Sequence, residues 1–172
     1  MERAIIRPPV RLSQKDHSSY NFREAGCAIT AAIMAAALSD RRMYNIHSFD
    51  GQVNGVDIWS PAGNNSVNYN WMTVNGWSFS RDYSIANYKG EAAQVNYLKR
   101  YIDSGICPIC FSPAEGGGGH WMLVYGYNTG STYSSILVYD PADGGDKTLA
   151  AGMAYSGTSA NVTQIRAQQT IG

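Results

Sequence analysis

The sequence predicts a single α+β domain that combines a helix-forming first half with an antiparallel second half. Residues 27–38 read Cys-Ala-Ile-Thr-Ala-Ala-Ile-Met-Ala-Ala-Ala-Leu, and Ala and Leu are among the strongest helix formers. Residues 120–127 and 133–140 are two apolar, β-rich runs on either side of a glycine-containing turn, which is typical of a β-hairpin. With 172 residues, of which 44% are hydrophobic, the chain can bury the core of one domain over residues 1–172.

The elements of the first half are predicted from its helix-breaking residues and from the spacing of its apolar residues. Residues 1–26 are expected to be an extended, polar segment, because Pro8 and Pro9 exclude a helix. The central helix is predicted to begin near Cys27. Residues 44–87 combine Gly, Asn, Ser and Tyr with weak periodicity, so short helices and loops are expected there.

The second half begins with a predicted helix over residues 90–103, which Gly105 ends. The short apolar run over 106–112 and both arms of the hairpin are predicted to be strands. Residues 148–172 carry no helical signal beyond a weak alanine patch, and we expect a strand over 161–171.

Charge and hydropathy exclude several classes of function. Thirteen basic and thirteen acidic residues give a formal net charge of zero, so no overall field draws the chain to nucleic acid or to an anionic membrane. The longest apolar run, residues 25–38, is too short to span a bilayer, and the N-terminus lacks the pattern of a secretory signal peptide. We therefore expect synthesis in the cytoplasm, no membrane insertion and no nucleic-acid partner. The three cysteines, an odd number, predict at least one free thiol.

Cys27 is the first candidate for chemistry, because it follows Gly26 and opens the predicted central helix. A thiol at a helix N-terminus lies near unpaired amide hydrogens and the positive end of the helix dipole, and both favour the thiolate. The alternative is a small buried cysteine within an alanine-rich helix.

His120 and Asp140 are the second and third candidates. Centring the hairpin on Gly130 sets His120 directly opposite Asp140 and Met122 opposite Val138. A carboxylate in that position would accept a hydrogen bond from the imidazole and raise its basicity. The alternative is a strand-end histidine beside a solvated aspartate. A thiol, a base and an acid that orients the base are together what a cysteine nucleophile requires.

Four motifs in the sequence resemble those of the papain-like cysteine peptidases. They read Leu-Ser-Gln-Lys-Asp at 12–16, Gly-Cys-Ala-Ile-Thr-Ala at 26–31, His-Trp-Met-Leu-Val-Tyr-Gly-Tyr at 120–127 and Asp-Pro at 140–141. Within that group the chain resembles the double-glycine leader peptidases of bacteriocin export and their free-standing and phage-encoded relatives, which implies a bacterial or phage origin. The resemblance implies a papain-like α+β fold, in which an N-terminal central helix carries the cysteine and packs on a C-terminal antiparallel sheet.

The resemblance also assigns roles to individual residues. Cys27 would be the nucleophile, His120 the base and Asp140 the acid that orients the base. Gln14 would donate a hydrogen bond to the oxyanion. Asn21 is a rival donor, because the step of thirteen residues from Gln14 to Cys27 is longer than is usual in papain-like enzymes.

These roles predict a cysteine peptidase that hydrolyses a peptide or amide bond, with a leader peptide or a cell-wall stem peptide as its substrate. One alternative is an acyl or aminoacyl transferase on the same scaffold, in which an amine replaces water. Another is a peptide-binding module without catalysis. No cofactor and no metal ion are expected.

Three further features have simpler structural explanations. Cys107 and Cys110 have the spacing of a redox or zinc site, but no second pair follows, and they are expected to pack in the core. The aspartates of residues 140–146 could suggest calcium, but a turn is favoured because the distal bidentate glutamate is missing. The three tryptophans of residues 59–77 could line a peptide groove, and burial in the core is the favoured alternative.

Overall fold

The computed structural model describes residues 3–6, 11–17, 26–40, 52–53, 56–57, 78–158 and 160–169. Within these segments the α+β class predicted from the sequence is confirmed, and no helix combines the length and the apolar character that crossing a bilayer requires. The helices are α1 (Cys27–Asp40), α2 (Glu91–Asp103) and α3 (Leu149–Ser156). The strands are β1 (Ala4–Ile5), β2 (Gln52–Val53), β3 (Val56–Asp57), β4 (Ser78–Asp82), β5 (Ile109–Pro113), β6 (Gly119–Tyr127), β7 (Ile136–Asp140), β8 (Gly145–Thr148) and β9 (Gln164–Gln169).

One antiparallel sheet organises the second half of the chain. Its strand order is β4-β9-β5-β6-β7-β8, and β1 pairs with the far end of β6, where Ala4 lies opposite Tyr127. Strands β2 and β3 pair separately with each other. Strand β6 is buried from His120 to Tyr127, so the site described below is built on the most enclosed strand of the hairpin.

Helix α1 is buried on all sides over residues 28–37. No residue from Ala28 to Ala37 is more than 2% exposed. A helix that is apolar around its whole circumference belongs in the interior of a protein, and its small alanine side chains allow neighbouring elements to approach closely. The helix packs against β5 and β6. Its first residue, Cys27, is consequently held at the edge of the core next to the sheet.

The predicted register of the hairpin is wrong by two residues. Val124 lies opposite Val138, whereas a direct pairing of His120 with Asp140 would have set it opposite residue 136. Two features cause the difference. The register shifts at a β-bulge between Val124 and Gly126, and the connection to β7 contains a 3-10 turn instead of a tight turn. Because the displacement is an even number of residues, the histidine and the aspartate remain on the same face of the sheet.

Three predicted elements of the second half are confirmed. Helix α2 occupies all but the first residue of the predicted span 90–103, and Gly105 follows it with a φ of +80°, a conformation that favours glycine. Strand β5 overlaps the apolar run 106–112, and β9 lies within the predicted span 161–171.

Helix α3 is an element that the sequence analysis missed, since no helix was expected after Thr148. The Thr148 hydroxyl accepts a hydrogen bond from the Ala151 amide at 3.1 Å and caps the N-terminus of the helix. Gly157, with a φ of +66°, ends the helix. The helix is therefore specified by its two capping residues. The spacing of the apolar residues between them is too irregular to predict a helix.

The expectation of short helices and loops over residues 44–87 is partly wrong. Residues 78–82 form strand β4, which lies at the edge of the sheet and pairs with β9. Its partner lies more than 80 residues later in the chain, so no local signal reveals the pairing. Residues 84–87 form a 3-10 turn, as the expectation allowed. The three tryptophans of residues 59–77 lie outside the described residues.

Candidate active site

Cys27 is the first residue of α1. It is partly exposed, whereas residues 28–37, which follow it in the helix, are buried. The Thr30 amide donates a hydrogen bond to the Gly26 carbonyl at 2.9 Å, so the helical bonding pattern begins at Gly26. The first amides of a helix have no acceptor within the helix, and they point out of its N-terminus. The thiol therefore lies at the end of α1 where backbone donors for a developing negative charge are concentrated.

His120 is held near the start of β6, and its side chain is only 8% exposed. The glycine before it is required by close packing. A Cβ atom on Gly119 would lie 2.4 Å from the Phe111 ring and 2.4 Å from the Ser112 carbonyl oxygen. Strand β5 can therefore approach β6 closely enough to pair Ser112 with His120. This contact fixes the position of the histidine backbone.

Asp140 is the last residue of β7 and is fully buried. Its Oδ1 atom lies 2.6 Å from Nε2 of His120 and accepts a hydrogen bond from the Ala142 amide at 2.9 Å. Because Nε2 is engaged by Asp140, Nδ1 is the ring nitrogen left to interact with Cys27, which is close enough to help raise the pKa of His120. The structure thus brings together the three residues that the sequence singled out.

Hydrogen bonds determine the charges in this group. Burial alone would lower the pKa of His120, but hydrogen bonds with Asp140 and Cys27 outweigh burial and raise the pKa from 6.5 to about 9. Burial would likewise raise the pKa of Asp140, but hydrogen bonding, first of all from His120, holds that pKa below its ordinary value of 3.8. At neutral pH the pair is therefore an imidazolium bonded to a carboxylate, with Cys27 beside it.

Gln14 lies at the start of a short 3-10 turn, Gln14–Asp16, and is 5% exposed. Its backbone amide donates a hydrogen bond to the Pro141 carbonyl at 2.8 Å, which ties this turn to the end of β7. Gln14 and His120 also border the same pocket. The rival donor Asn21 lies outside the described residues.

The pocket beside His120 has a volume of about 420 Å³. Its rim includes Tyr155 of α3, which is 62% exposed and is one of the exposed large aromatic side chains of the protein. The described residues that line it are Gln14, Lys15, Ala114, Gly119, His120, Ala142, Tyr155, Ser156 and Thr158. The pocket is therefore a place where a substrate could lie in contact with the histidine.

Lys147 is a residue of the site that the sequence analysis missed. Its Nζ atom lies 3.0 Å from Oδ2 of Asp140 and 2.9 Å from Oδ2 of Asp143. A signal is present, because the aspartate-rich run 140–146 predicts a turn, and residues 141–144 do form one. A chain that reverses there must return beside β7, and this places Lys147 opposite Val138 on the face that carries Asp140.

The remaining thiols are buried, as expected. Cys107 is 3% exposed and Cys110 is 0% exposed, and burial raises the pKa of each thiol to about 12. Among the residues that the structure describes, no group of three or more His, Cys, Asp and Glu side chains is arranged to hold a metal ion.

Comparison with known proteins agrees with the resemblance seen in the motifs. The model of the Peptidase_C39 like family matches residues 10–166, a span that includes Gln14, Cys27, His120 and Asp140. A search of curated proteins finds no match, and a search of solved structures finds none. The family match covers most of the chain and is consistent with the α+β architecture. The chain therefore belongs to the Peptidase_C39 like family.

Proposed function

We propose that this protein is a cysteine peptidase that hydrolyses a peptide bond with Cys27 as nucleophile, His120 as acid and base, and Asp140 as the orienting acid. The observation that carries the proposal is the position of His120, which is bonded to Asp140 at 2.6 Å through Nε2 and lies close enough to Cys27 for the two groups to interact. A nucleophile, a base in contact with it and a third group that holds the base form the arrangement from which covalent catalysis is recognised.

In the first half of the reaction, the Cys27 thiolate attacks the carbonyl carbon of the scissile bond. His120 is a cation at neutral pH because its pKa is about 9, and in the proposed reactive state the proton it carries is the one given up by the thiol. The carbonyl oxygen becomes an oxyanion, and the Cys27 backbone amide and the Gln14 side chain stabilise it. His120 then gives its proton to the leaving amine, the C–N bond breaks, and a thioester remains on Cys27.

In the second half, water replaces the amine. His120, now neutral, removes a proton from the water as it attacks the thioester carbonyl. The C–S bond breaks, the carboxylic acid product leaves, and the Cys27 thiolate and the imidazolium are restored. Asp140 keeps its charge throughout and holds the imidazole ring in place. Buried hydrogen bonds to ionised groups are the stronger kind, which suits this role.

The family match and the pocket support a proposal for the substrate class. We propose a peptide substrate, either a leader peptide or a cell-wall stem peptide. The pocket of about 420 Å³ borders both His120 and Gln14, so a peptide lying in it would contact the proposed base and the proposed oxyanion donor. No step of this chemistry uses a cofactor.

The test is digestion of a mixed peptide library and of purified peptidoglycan, with the products identified by mass spectrometry. We expect cleavage by the parent protein and none by Cys27→Ala. The matched control is Cys107→Ala, which removes a buried thiol away from His120 and is expected to retain cleavage. Cleavage that survives in Cys27→Ala, or cleavage of neither substrate by the parent, would overturn the proposal. Thioester turnover with and without added amines separates hydrolysis from acyl transfer, because a transferase requires the amine.

A further inference from the structure

Lys147 is the second side chain, after His120, that holds the Asp140 carboxylate in place. The Asp140 carboxylate is held at three points. Oδ1 lies 2.6 Å from His120 and 2.9 Å from the Ala142 amide, and Oδ2 lies 3.0 Å from the Lys147 ammonium group. The lysine side chain is 17% exposed, while the aspartate side chain is fully buried. The charge of Asp140 is therefore balanced by His120 on one oxygen and by Lys147 on the other.

The surroundings of Oδ2 leave little freedom to the carboxylate. Helix α3 passes this atom at Gly152, where a Cβ atom would lie 3.6 Å from Oδ2 and 2.4 Å from the Met122 sulfur. A glycine presents no polar side chain to the carboxylate. Without Lys147, Oδ2 would be a buried anionic oxygen facing that backbone, and an unpaired buried charge is strongly unfavourable.

Lys147 is itself fixed before any substrate binds. Its ammonium nitrogen lies 3.6 Å from the centre of the Tyr155 ring and 2.9 Å from the Asp143 carboxylate. Strand β8 pairs with β7 and fixes the backbone of the lysine opposite Val138. The described residues that line the pocket do not include Lys147, so the lysine contacts the site through Asp140 and through the Tyr155 ring at the rim.

We propose that Lys147 is a positioning residue of the peptidase site. Its ammonium group holds one oxygen of Asp140, which keeps the carboxylate ionised and its other oxygen directed at His120. The inference rests on the proposed function. The lysine touches no reacting atom. It acts through Asp140, and Asp140 acts through His120.

The charged and titratable groups around Asp140 support this assignment. His120 faces it from β6 and Lys147 from β8, and Cys110 on β5 is near enough to experience its charge. Cys27 of α1 reaches it through His120, and α3 faces it with the uncharged Gly152. Hydrogen bonding from Lys147 is among the causes that hold the pKa of Asp140 below 3.8. Removal of the lysine therefore allows Asp140 to take up a proton at a higher pH.

The experiment compares Lys147→Met, which removes the charge and the donor, with Lys147→Arg, which keeps both. Activity is measured from pH 4 to pH 10 on a peptide that the parent cleaves. For Lys147→Met we expect kcat to fall roughly 10- to 100-fold, the effect of losing a hydrogen bond to a charged group, with KM unchanged. We expect the acid limit of its activity to move to higher pH, because loss of the lysine hydrogen bond raises the pKa of Asp140. Lys147→Arg should restore both properties to near the parent values.

The matched control is Lys99→Met. Lys99 also donates to an oxygen, the Gly130 carbonyl at 2.6 Å, and also lies over a tyrosine ring, but at the opposite end of β6. This variant should keep the parent kcat and acid limit, and circular dichroism verifies that all three variants are folded. Parent-like kcat and acid limit in Lys147→Met, or equal impairment of the Met and Arg variants, would overturn the inference while leaving the peptidase function intact. If the parent itself shows no cleavage that depends on Cys27, the proposed function fails instead.

Discussion

Replacing Asp140 with asparagine tests whether the buried carboxylate controls the charge of His120. Asparagine has nearly the same shape, and its side-chain oxygen can still accept a hydrogen bond, so the substitution mainly removes the negative charge. Burial lowers the pKa of His120, and the bond with Asp140 is first among the causes that raise it. With that charge removed, burial is opposed chiefly by Cys27. We therefore expect the pKa of His120 to fall from about 9 towards its ordinary value of 6.5.

The magnitude follows from the two pKa values. A fall from about 9 to 6.5 is about 2.5 pH units, or about 3 kcal/mol at 1.36 kcal/mol per unit. At pH 7.5 the imidazole is about 97% protonated with the higher pKa and about 10% protonated with the lower one. The proton that the leaving amine needs is thus missing from most molecules of the variant. The alkaline limit of kcat/KM should move down from about pH 9 by the same interval.

The assay is NMR titration of protein labelled with carbon-13 in the histidine rings. The sequence contains three histidines, and comparison with His120→Gln identifies the resonance of interest. The matched control is Asp143→Asn, which removes the other carboxylate bonded to Lys147 without touching His120, and it should leave the midpoint near 9. A midpoint near 6.5 in the parent, or a midpoint that Asp140→Asn does not lower, would refute the reasoning.

Three further predictions follow from the same geometry. An iodoacetamide-type reagent at pH 7 should label Cys27 well before Cys107 or Cys110, because burial raises the pKa of the latter two thiols to about 12 and blocks access, and peptide mapping of the labelled protein decides the order. Gln14→Ala should lower kcat roughly 10²- to 10³-fold, the usual loss for one oxyanion donor, and the role passes to Asn21 if Asn21→Ala shows that loss instead. Stability should also depend on pH through the His120–Asp140 pair. The folded-state pKa of His120 is raised above 6.5, so its contribution is complete below 6.5 and is lost as pH rises through about 9. The pKa of Asp140 is lowered, so its contribution is present above 3.8 and is lost as pH falls through the lowered pKa. Thermal melts of the parent should show this decline between pH 6.5 and pH 9, and melts of Asp140→Asn should not.

The central helix and the chemistry-bearing residues could be predicted because their signals are local. An alanine-rich run with a cysteine at its first position specifies both the helix and the location of the thiol at its N-terminus. The same holds for α2, whose apolar stripe ends at Gly105. Helix α3 was missed because its information lies in the caps Thr148 and Gly157, which become visible only when the segment between them is already suspected to be helical.

Features set by distant contacts could not be predicted in this way. The need for glycine at position 119 arises from the Phe111 ring and the Ser112 carbonyl on the neighbouring strand. The edge strand β4 depends on β9, a partner near the other end of the chain. The bulge after Val124 depends on how β6 meets β7, and nothing in the sequence of β6 alone requires it.

The contact between His120 and Asp140 could be predicted even though the predicted register is wrong. On a pleated strand, an error of an even number of residues leaves each side chain on the same face of the sheet. Continuing the observed pairing sets Asp140 opposite Met122, so the aspartate is the diagonal neighbour of His120 on one shared face. Diagonal Cβ atoms lie roughly 7–8 Å apart, a separation that an imidazole and a carboxylate can bridge together. A displacement of one residue would have placed the two side chains on opposite faces and removed the contact. The same rule extends to the next strand, where Lys147 is the diagonal neighbour of Asp140 on the other side. Asp140 is therefore bracketed by two cations on one sheet face: parity places all three side chains on that face, and the observed register makes them neighbours.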